Sequence, residues 1–215
     1  MSDWREAFED AKRLFFLSVG ISNSGGRRFR PELAKVVAGE GWRLENSTAT
    51  VVDHEGKWAL RLAPDAGTGV AWLTDHNFST GKIDFRLAAI EQQAGLLLQP
   101  LPAGEPDLFG FAFSFSDKAG ATGIDLRVWL ESNGERQEAH HSFPLKMRGE
   151  WIPMRIVVTR ELLCLFVDGD HVPALKYIHG HPVERPARLG VWRGPAAEVL
   201  LTDLKLIETD EWNLK

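Results

Sequence analysis

Between Ala94 and Glu131 the apolar and polar positions alternate with the period of two that marks a pleated strand. The pattern predicts three strands in this stretch, AGLLLQP, FGFAFSFSD and GIDLRVWLE, separated by Pro- and Gly-rich turns. Phe109, Phe111, Phe113 and Phe115 fall on one face, and Gly110, Ala112, Ser114 and Ser116 on the other. On the next strand Ile124, Leu126, Val128 and Leu130 oppose Asp125, Arg127, Trp129 and Glu131. A sheet with one apolar face has to bury that face against a second layer. The opposite face is polar, carries a tryptophan, and is the candidate working surface.

The same reading extends along the chain. Ser2 or Asp3 caps a first helix whose apolar stripe is Trp4, Phe8, Ala11 and Phe15. Ser22–Pro31 reads as a Gly/Ser turn carrying Arg27, Arg28 and Arg30, and Pro31 opens a second short helix that stops at Gly39 and Gly41. From Trp42 the pattern is β to the end. The strands around TATVVD and KWALRLAP are joined by a tight turn at His54-Glu55-Gly56. GVAWLTD leads into GKIDFRLAA, where Ile83, Phe85 and Leu87 face inward and Lys82, Asp84 and Arg86 outward. A strand over Arg136–Phe143 follows. A long hairpin then closes near Arg160-Glu161, with a second turn at Asp168-Gly169-Asp170, and the last strands are ARLGVWRG and EVLLTDLKLIE. About a dozen strands with turns every 8–12 residues predict an all-β, antiparallel two-sheet sandwich or jelly roll with one or two short N-terminal helices. The expected organisation is a helical extension packed on the sandwich over 1–41, the sandwich over 42–208 and a tail over 209–215.

Composition narrows the picture. A chain of 215 residues with 44% hydrophobic residues suits one well-cored sandwich. The net charge of −5 argues against a general phosphate-binding, nucleic-acid surface. The single cysteine, Cys164, excludes an intramolecular disulfide and lies in an apolar run, as a buried small hydrophobe would. No stretch reaches the ~18 apolar residues of a membrane span, and acidic residues precede the short apolar run Leu14–Val19. The chain as given is therefore expected to be cytoplasmic, with no membrane partner. Eight tryptophans are the unusual feature, since these rings serve both cores and ligand platforms.

Several pieces in order carry a resemblance: Trp42-x-Leu44, KWALRLAP, F-x-T-G-K-I-D-F-R-L from Phe78, G-L-L-L-Q from Gly95, W-I-P-M-R-I-V-V from Trp151 with L-F-V-D-G from Leu165, R-L-G-V-W-R-G from Arg188, and V-L-L-T-D-L-K-L from Val199. Over Trp42 to Ile207 the chain resembles the concanavalin A-like lectin/glucanase superfamily, particularly its laminin-G-like and keto-disaccharide-hydrolase-type members. The resemblance implies two packed antiparallel sheets with a glycan on the concave sheet or at its edge loops. It implies that Lys57–Leu62, Lys82–Leu87, Trp151–Thr159, Leu162–Asp168 and Val199–Ile207 supply the convex sheet. The Ala94–Glu131 strands, Gln137–Ser142 and Leu189–Arg193 would supply the concave one.

Laminarinase-type members carry E-x-D-x-x-E on a concave strand, and glycoside hydrolysis needs two carboxyls ~5–5.5 Å or ~6.5–9.5 Å apart. The strand in the comparable place, Phe109–Ser116, has no carboxylate, and Asp125 and Glu131 stand ~20 Å apart at ~3.3 Å per residue. Asp125 with Arg127, and Asp84 with Arg86, read either as surface ion pairs or, for the first pair, as part of a sugar site. In the second reading Trp129 stacks on the apolar face of a pyranose, Asp125 and Arg127 hydrogen-bond its hydroxyls, and Gln99, Ser114, His141 and Trp192 complete the set. Adjacent His140 and His141 point to opposite faces, so they cannot share one ion, and His179-Gly180-His181 lacks further ligands at zinc spacing. No metal ligands or cofactor are assigned, with calcium at the Asp168-Gly169-Asp170 turn as the one open alternative. The leading expectation is a carbohydrate-binding domain with an oligosaccharide or glycoside ligand. Two alternatives stand beside it: a glycoside hydrolase or lyase using Asp75, His76, Glu105 and His141, and a protein-interaction sandwich using its N-terminal helices or the Arg27–Arg30 segment.

Overall fold

A computed structural model of the protein describes residues 27–88, 93–100, 108–118, 121–132, 135–144, 151–159, 162–167, 175–178 and 186–208. These form two antiparallel sheets and one short helix, α1 (Leu33–Ala38). One sheet holds β3 (Ser47–His54), β4 (Lys57–Pro64), β15 (Val199–Glu208), β6 (Gly81–Ala88), β11 (Ile152–Val158), β12 (Leu162–Val167) and β13 (Leu175–Ile178) in that spatial order, with β1 (Arg27–Phe29) also paired to β15. The other runs β2 (Trp42–Glu45), β5 (Gly69–Phe78), β14 (Ala187–Arg193), β7 (Ala94–Pro100), β8 (Leu108–Lys118), β9 (Ala121–Ser132), β10 (Glu135–Pro144). We call them the eight-stranded and seven-stranded sheets. The expected two-sheet, all-β sandwich is the observed architecture, and each strand assigned to a sheet from the resemblance lies in the sheet expected for it.

Alternation places the core. Leu60, Leu62, Ile83, Phe85, Leu87, Met154, Ile156, Leu201 and Leu206 from the eight-stranded sheet meet Leu73, Leu96, Leu98, Leu126, Leu189 and Val191 from the seven-stranded one. Each such side chain, fully withdrawn from water, contributes about 1.5–3 kcal/mol. The β3–β4 hairpin closes through Glu55 and Gly56, both at positive φ (52° and 70°), the turn whose twist matches its flanking strands. Helix α1 ends where Gly39 turns left-handed (φ 72°) and donates its N–H to Val36 O at 3.1 Å.

Two expectations are corrected. Arg27–Phe29, read as a turn, is strand β1, because its backbone pairs with Leu206–Glu208 at the end of β15. The same-strand ion pairs are replaced by cross-strand ones. Asp84 accepts from Arg155 (2.6 and 3.2 Å), and Arg86 pairs with Asp203 at 3.0 Å. Side chains directly opposite on neighbouring strands stand ~4.5–5.5 Å apart, closer than i and i+2 along one strand. The first helix, the Asp168–Asp170 turn, the Arg160-Glu161 turn, His179, His181 and the 209–215 tail lie outside the described residues.

Candidate functional site

The outer face of the seven-stranded sheet is not uniformly polar. Val70 and Trp72 of β5, Leu97 of β7, Ala112 of β8 and Trp129 of β9 form a second buried cluster there, with the half-buried Trp192 of β14 packed against it. Trp129 and Trp192 meet edge-to-face with centroids 5.6 Å apart, a favoured aromatic geometry. The rings lie low on the sheet because glycines stand beneath them. A Cβ on Gly110 would come within 2.0 Å of the Trp129 ring, and one on Gly190 within 2.7 Å of the Trp72 ring. Trp129 is only 4% exposed and Trp72 5%, so Trp192 is the ring of the three that remains open to solvent contact.

Beside this aromatic floor, and sharing Ala112 with it, is a polar cavity of about 370 Å³ lined by Gln93, Ser114, Asp125, Arg127, His140 and Ser142. The pleat explains the set: β9 and β10 pair with Asp125 opposite Ser142, Arg127 opposite His140 and Trp129 opposite Glu138. Ser142 Oγ donates a short hydrogen bond to Asp125 Oδ1. Glu138 Oε1 lies 2.7 Å from both Arg127 Nε and His140 Nε2. The Arg127 contact is electrostatic and lies off the N–H direction, so Nε has no hydrogen-bond partner among the described residues. The cavity thus presents hydroxyl, amide, imidazole, guanidinium and carboxylate groups on a rigid sheet, in the size range of small-molecule sites.

The structure brings Ser114, Asp125 and Arg127 together at this cavity, as the alternation suggested. Trp129 adjoins them as a buried floor; it is not an open platform. Trp192 packs against Trp129. Gln99 pairs with Arg188 further along β7 and does not line the cavity; Gln93 does. The His141 backbone pairs with that of Leu126, a core residue, one position out of phase with His140, and its side chain lies outside the described ones.

Glu138, His140, Ser142 and Trp72 belong to the site although the pattern did not nominate them for it. The alternation Glu138, His140, Ser142 along β10 was the available signal. Trp72 gave none, because the first half of β5, Gly69 to Leu73, is apolar on both faces.

Of the residues considered for a non-standard hydrolytic site, Glu105 lies outside the described residues. His76 turns elsewhere: it stacks on Phe29 at 4.1 Å and stands 3.5 Å from Glu208, linking β5 to β1 and β15. Asp75 covers Gly41. Among the described residues no group of three or more His, Cys, Asp or Glu side chains is placed to hold a metal ion.

Solved structures share this arrangement. A family 16 glycoside hydrolase endo-glucanase from Bacteroides ovatus superposes with a TM-score of 0.57 at 9% identity, covering 84% of this chain and 97% of that one. The kappa-carrageenase from Pseudoalteromonas carrageenovora matches at 0.53 and 12% identity, covering 86% and 96%. The fold is that of the concanavalin A-like lectins and glucanases. A Bacillus subtilis protein of unknown function with a galectin-like fold superposes at a TM-score of 0.53 and 14% identity, covering 77% of this chain and 88% of that one. No family model and no curated protein matches the chain. At these identities the likeness is one of fold, and function rests on the chain's own residues.

Proposed function

We propose that this concanavalin A-like sandwich is a carbohydrate-binding domain whose glycan lies on the outer face of the seven-stranded sheet. The observation that carries the reading is the juxtaposition of Trp192 with a hydroxyl-ready cavity built from Ser114, Asp125, Arg127, His140 and Ser142. A pyranose offers an apolar ring face and a rim of hydroxyls. The half-buried Trp192 ring suits the first, and the mixed donors and acceptors suit the second. The neighbouring folds include enzymes acting on polysaccharides, which supports the class of ligand.

Binding is favoured over hydrolysis by the spacing of Asp125 and Glu138, the two carboxylates on this face of β9 and β10 whose side chains are described. Asp125 and Glu138 are separated by four residues of register, ~13 Å along the strands at ~3.3 Å per residue. Glu138 is engaged by Arg127 and His140, an arrangement that fixes a side chain in position. Calorimetric titration against neutral and acidic oligosaccharides, with Arg127→Met alongside, tests the proposal. Saturable heat lost in the variant supports it; no saturable heat across the panel overturns it.

A further inference from the structure

The outer face of the eight-stranded sheet carries a feature that the glycan reading does not use. Two neighbouring cross-strand rows build it. In the first, Asp84 of β6 pairs with Lys205 of β15 on one side and Arg155 of β11 on the other, and Arg155 pairs in turn with Phe166 of β12. In the second, Arg86 of β6 pairs with Thr202 of β15 and Pro153 of β11. The register along β15 slips between the rows. Asp203 and Leu204 together oppose Phe85, and Asp203 turns to positive φ (56°). Such a bulge re-aims the side chain it carries, and here Asp203 reaches Arg86 at 3.0 Å and Lys57 at 3.7 Å.

At these rows the face opens into a groove of about 570 Å³, in the size range of small-molecule sites. Pro31, Pro153 and Phe166 give it apolar walls. Its charged groups are Arg30, Arg86, Arg155 and Lys205 against Asp84 and Asp203, a local surplus of cations in a chain of net charge −5. The carboxylates hold two of the cations in place. Arg155 donates to Asp84 through Nε and Nη2 (2.6 and 3.2 Å), and Arg86 meets Asp203 through Nε. Both guanidiniums remain partly exposed and keep Nη donors without a partner among the described residues. Arg30 and Lys205 have no ion-pair partner among those residues. The surplus is felt two residues along β6: burial, and then the fields of Arg155 and Lys205, outweigh Asp84 and hold the Lys82 ammonium's pKa down to about 8.

We propose that this groove binds a small organic anion, an apolar body carrying one oxyanion head, with the head on the Nη donors of Arg86 and Arg155 and the body against Phe166 and the prolines. Guanidiniums already fixed by their own carboxylates are preorganised for an oxyanion, so little freedom is lost when one binds. Arg30 and Lys205 add attraction that no described carboxylate cancels. Phe166 ends the row that holds Arg155, which sets the apolar contact beside the charged one. The groove lies on the opposite sheet from the glycan surface, so neither reading depends on the other.

The test titrates native full-length protein with anilinonaphthalene sulfonate, followed by its fluorescence, and with phenylnaphthylamine, the uncharged analogue that lacks the sulfonate. One saturable sulfonate site per chain is expected, about tenfold tighter than that of the neutral analogue. Arg30→Glu/Lys205→Glu is expected to weaken it about tenfold with an unchanged urea midpoint. Backbone amide shifts locate the probe without any variant: Asp84, Arg86, Arg155 and Lys205 are expected to move, while Arg127 and Ser142 stay. The absence of a saturable site overturns the proposal. So does equal affinity for the neutral analogue, which would make the face a plain apolar patch. Affinity indifferent to the charge reversal, or shifts centred on the seven-stranded sheet, overturns it too.

Discussion

Trp129 lies directly over Gly110, its ring within 2.0 Å of where a Cβ on that glycine would stand. The contact sets the depth of the aromatic floor and, through Ala112, the position of the polar cavity next to it. A methyl group at residue 110 has to lift the indole and disturb its edge-to-face contact with Trp192. Gly110→Ala is expected to cost about 1–3 kcal/mol of stability, the range for overpacking a close-packed site. Urea unfolding measures the cost, and a changed near-UV circular dichroism spectrum reports the displaced ring.

Arg193 is a buried cation at the end of β14, fully withdrawn from solvent. Its guanidinium donates to Ser47 Oγ, Gly67 O and Gly194 O at 3.0 Å each, and also to Asn46 O. Burial holds its pKa below the usual arginine range, against the opposing field of Asp65. The planar fork ties the β2–β3 and β4–β5 connections to β14, a task a single ammonium cannot perform. Arg193→Ala leaves several buried acceptors unpaired at about 1–3 kcal/mol each, and Arg193→Lys is expected to recover less than half of the loss. Denaturant midpoints for the two variants check this.

Lys82 gives stability a pH signature. Burial, then the fields of Arg155 and Lys205, outweigh the attraction of Asp84 and bring its pKa from 10.5 down to about 8. Between pH 8 and 10.5 the unfolded chain holds a proton on this amine that the native chain has released. The unfolded state binds more protons in that window, so this residue makes stability rise with pH across it; below pH 8 the cost of the buried ammonium is present in full. The gain is on the order of 2–3 kcal/mol. Urea unfolding at pH 7.5, 9 and 10.5 should show this rise in the difference between wild type and Lys82→Met, which removes the contributions of other lysines and of Tyr177.

Much of the sandwich was legible in the sequence because alternation and the order of motifs carry it. The faces of β6 and β9 and the sheet membership of the main strands follow from period two alone or from the resemblance. Arg27–Phe29 was not legible, since a three-residue strand beside a Gly/Ser run has no pattern of its own and exists through its partner β15. The burial of Lys82 and Trp129 was likewise invisible. Each sits on the outward phase of its strand, where alternation predicts exposure, yet each is almost wholly withdrawn from solvent. The candidate site came through as a strand, Asp125-x-Arg127-x-Trp129. The second strand of the site, Glu138-x-His140-x-Ser142, needed the register between β9 and β10.

The central claim is that a glycan binds on the seven-stranded sheet at Trp192. The most direct measurement is an indole N–H nuclear magnetic resonance titration with the oligosaccharide that calorimetry selects, each peak assigned by a Trp→Phe variant. The account predicts saturable shifts of the Trp192 and Trp129 resonances, with none for Trp58, which stands 71% exposed on β4 of the other sheet. It also predicts that Trp192→Ala weakens binding about tenfold, the equivalent of about 1.4 kcal/mol of lost ring contact. Shifts confined to Trp58, or a saturable titration that leaves Trp192 and Trp129 unmoved, would contradict it.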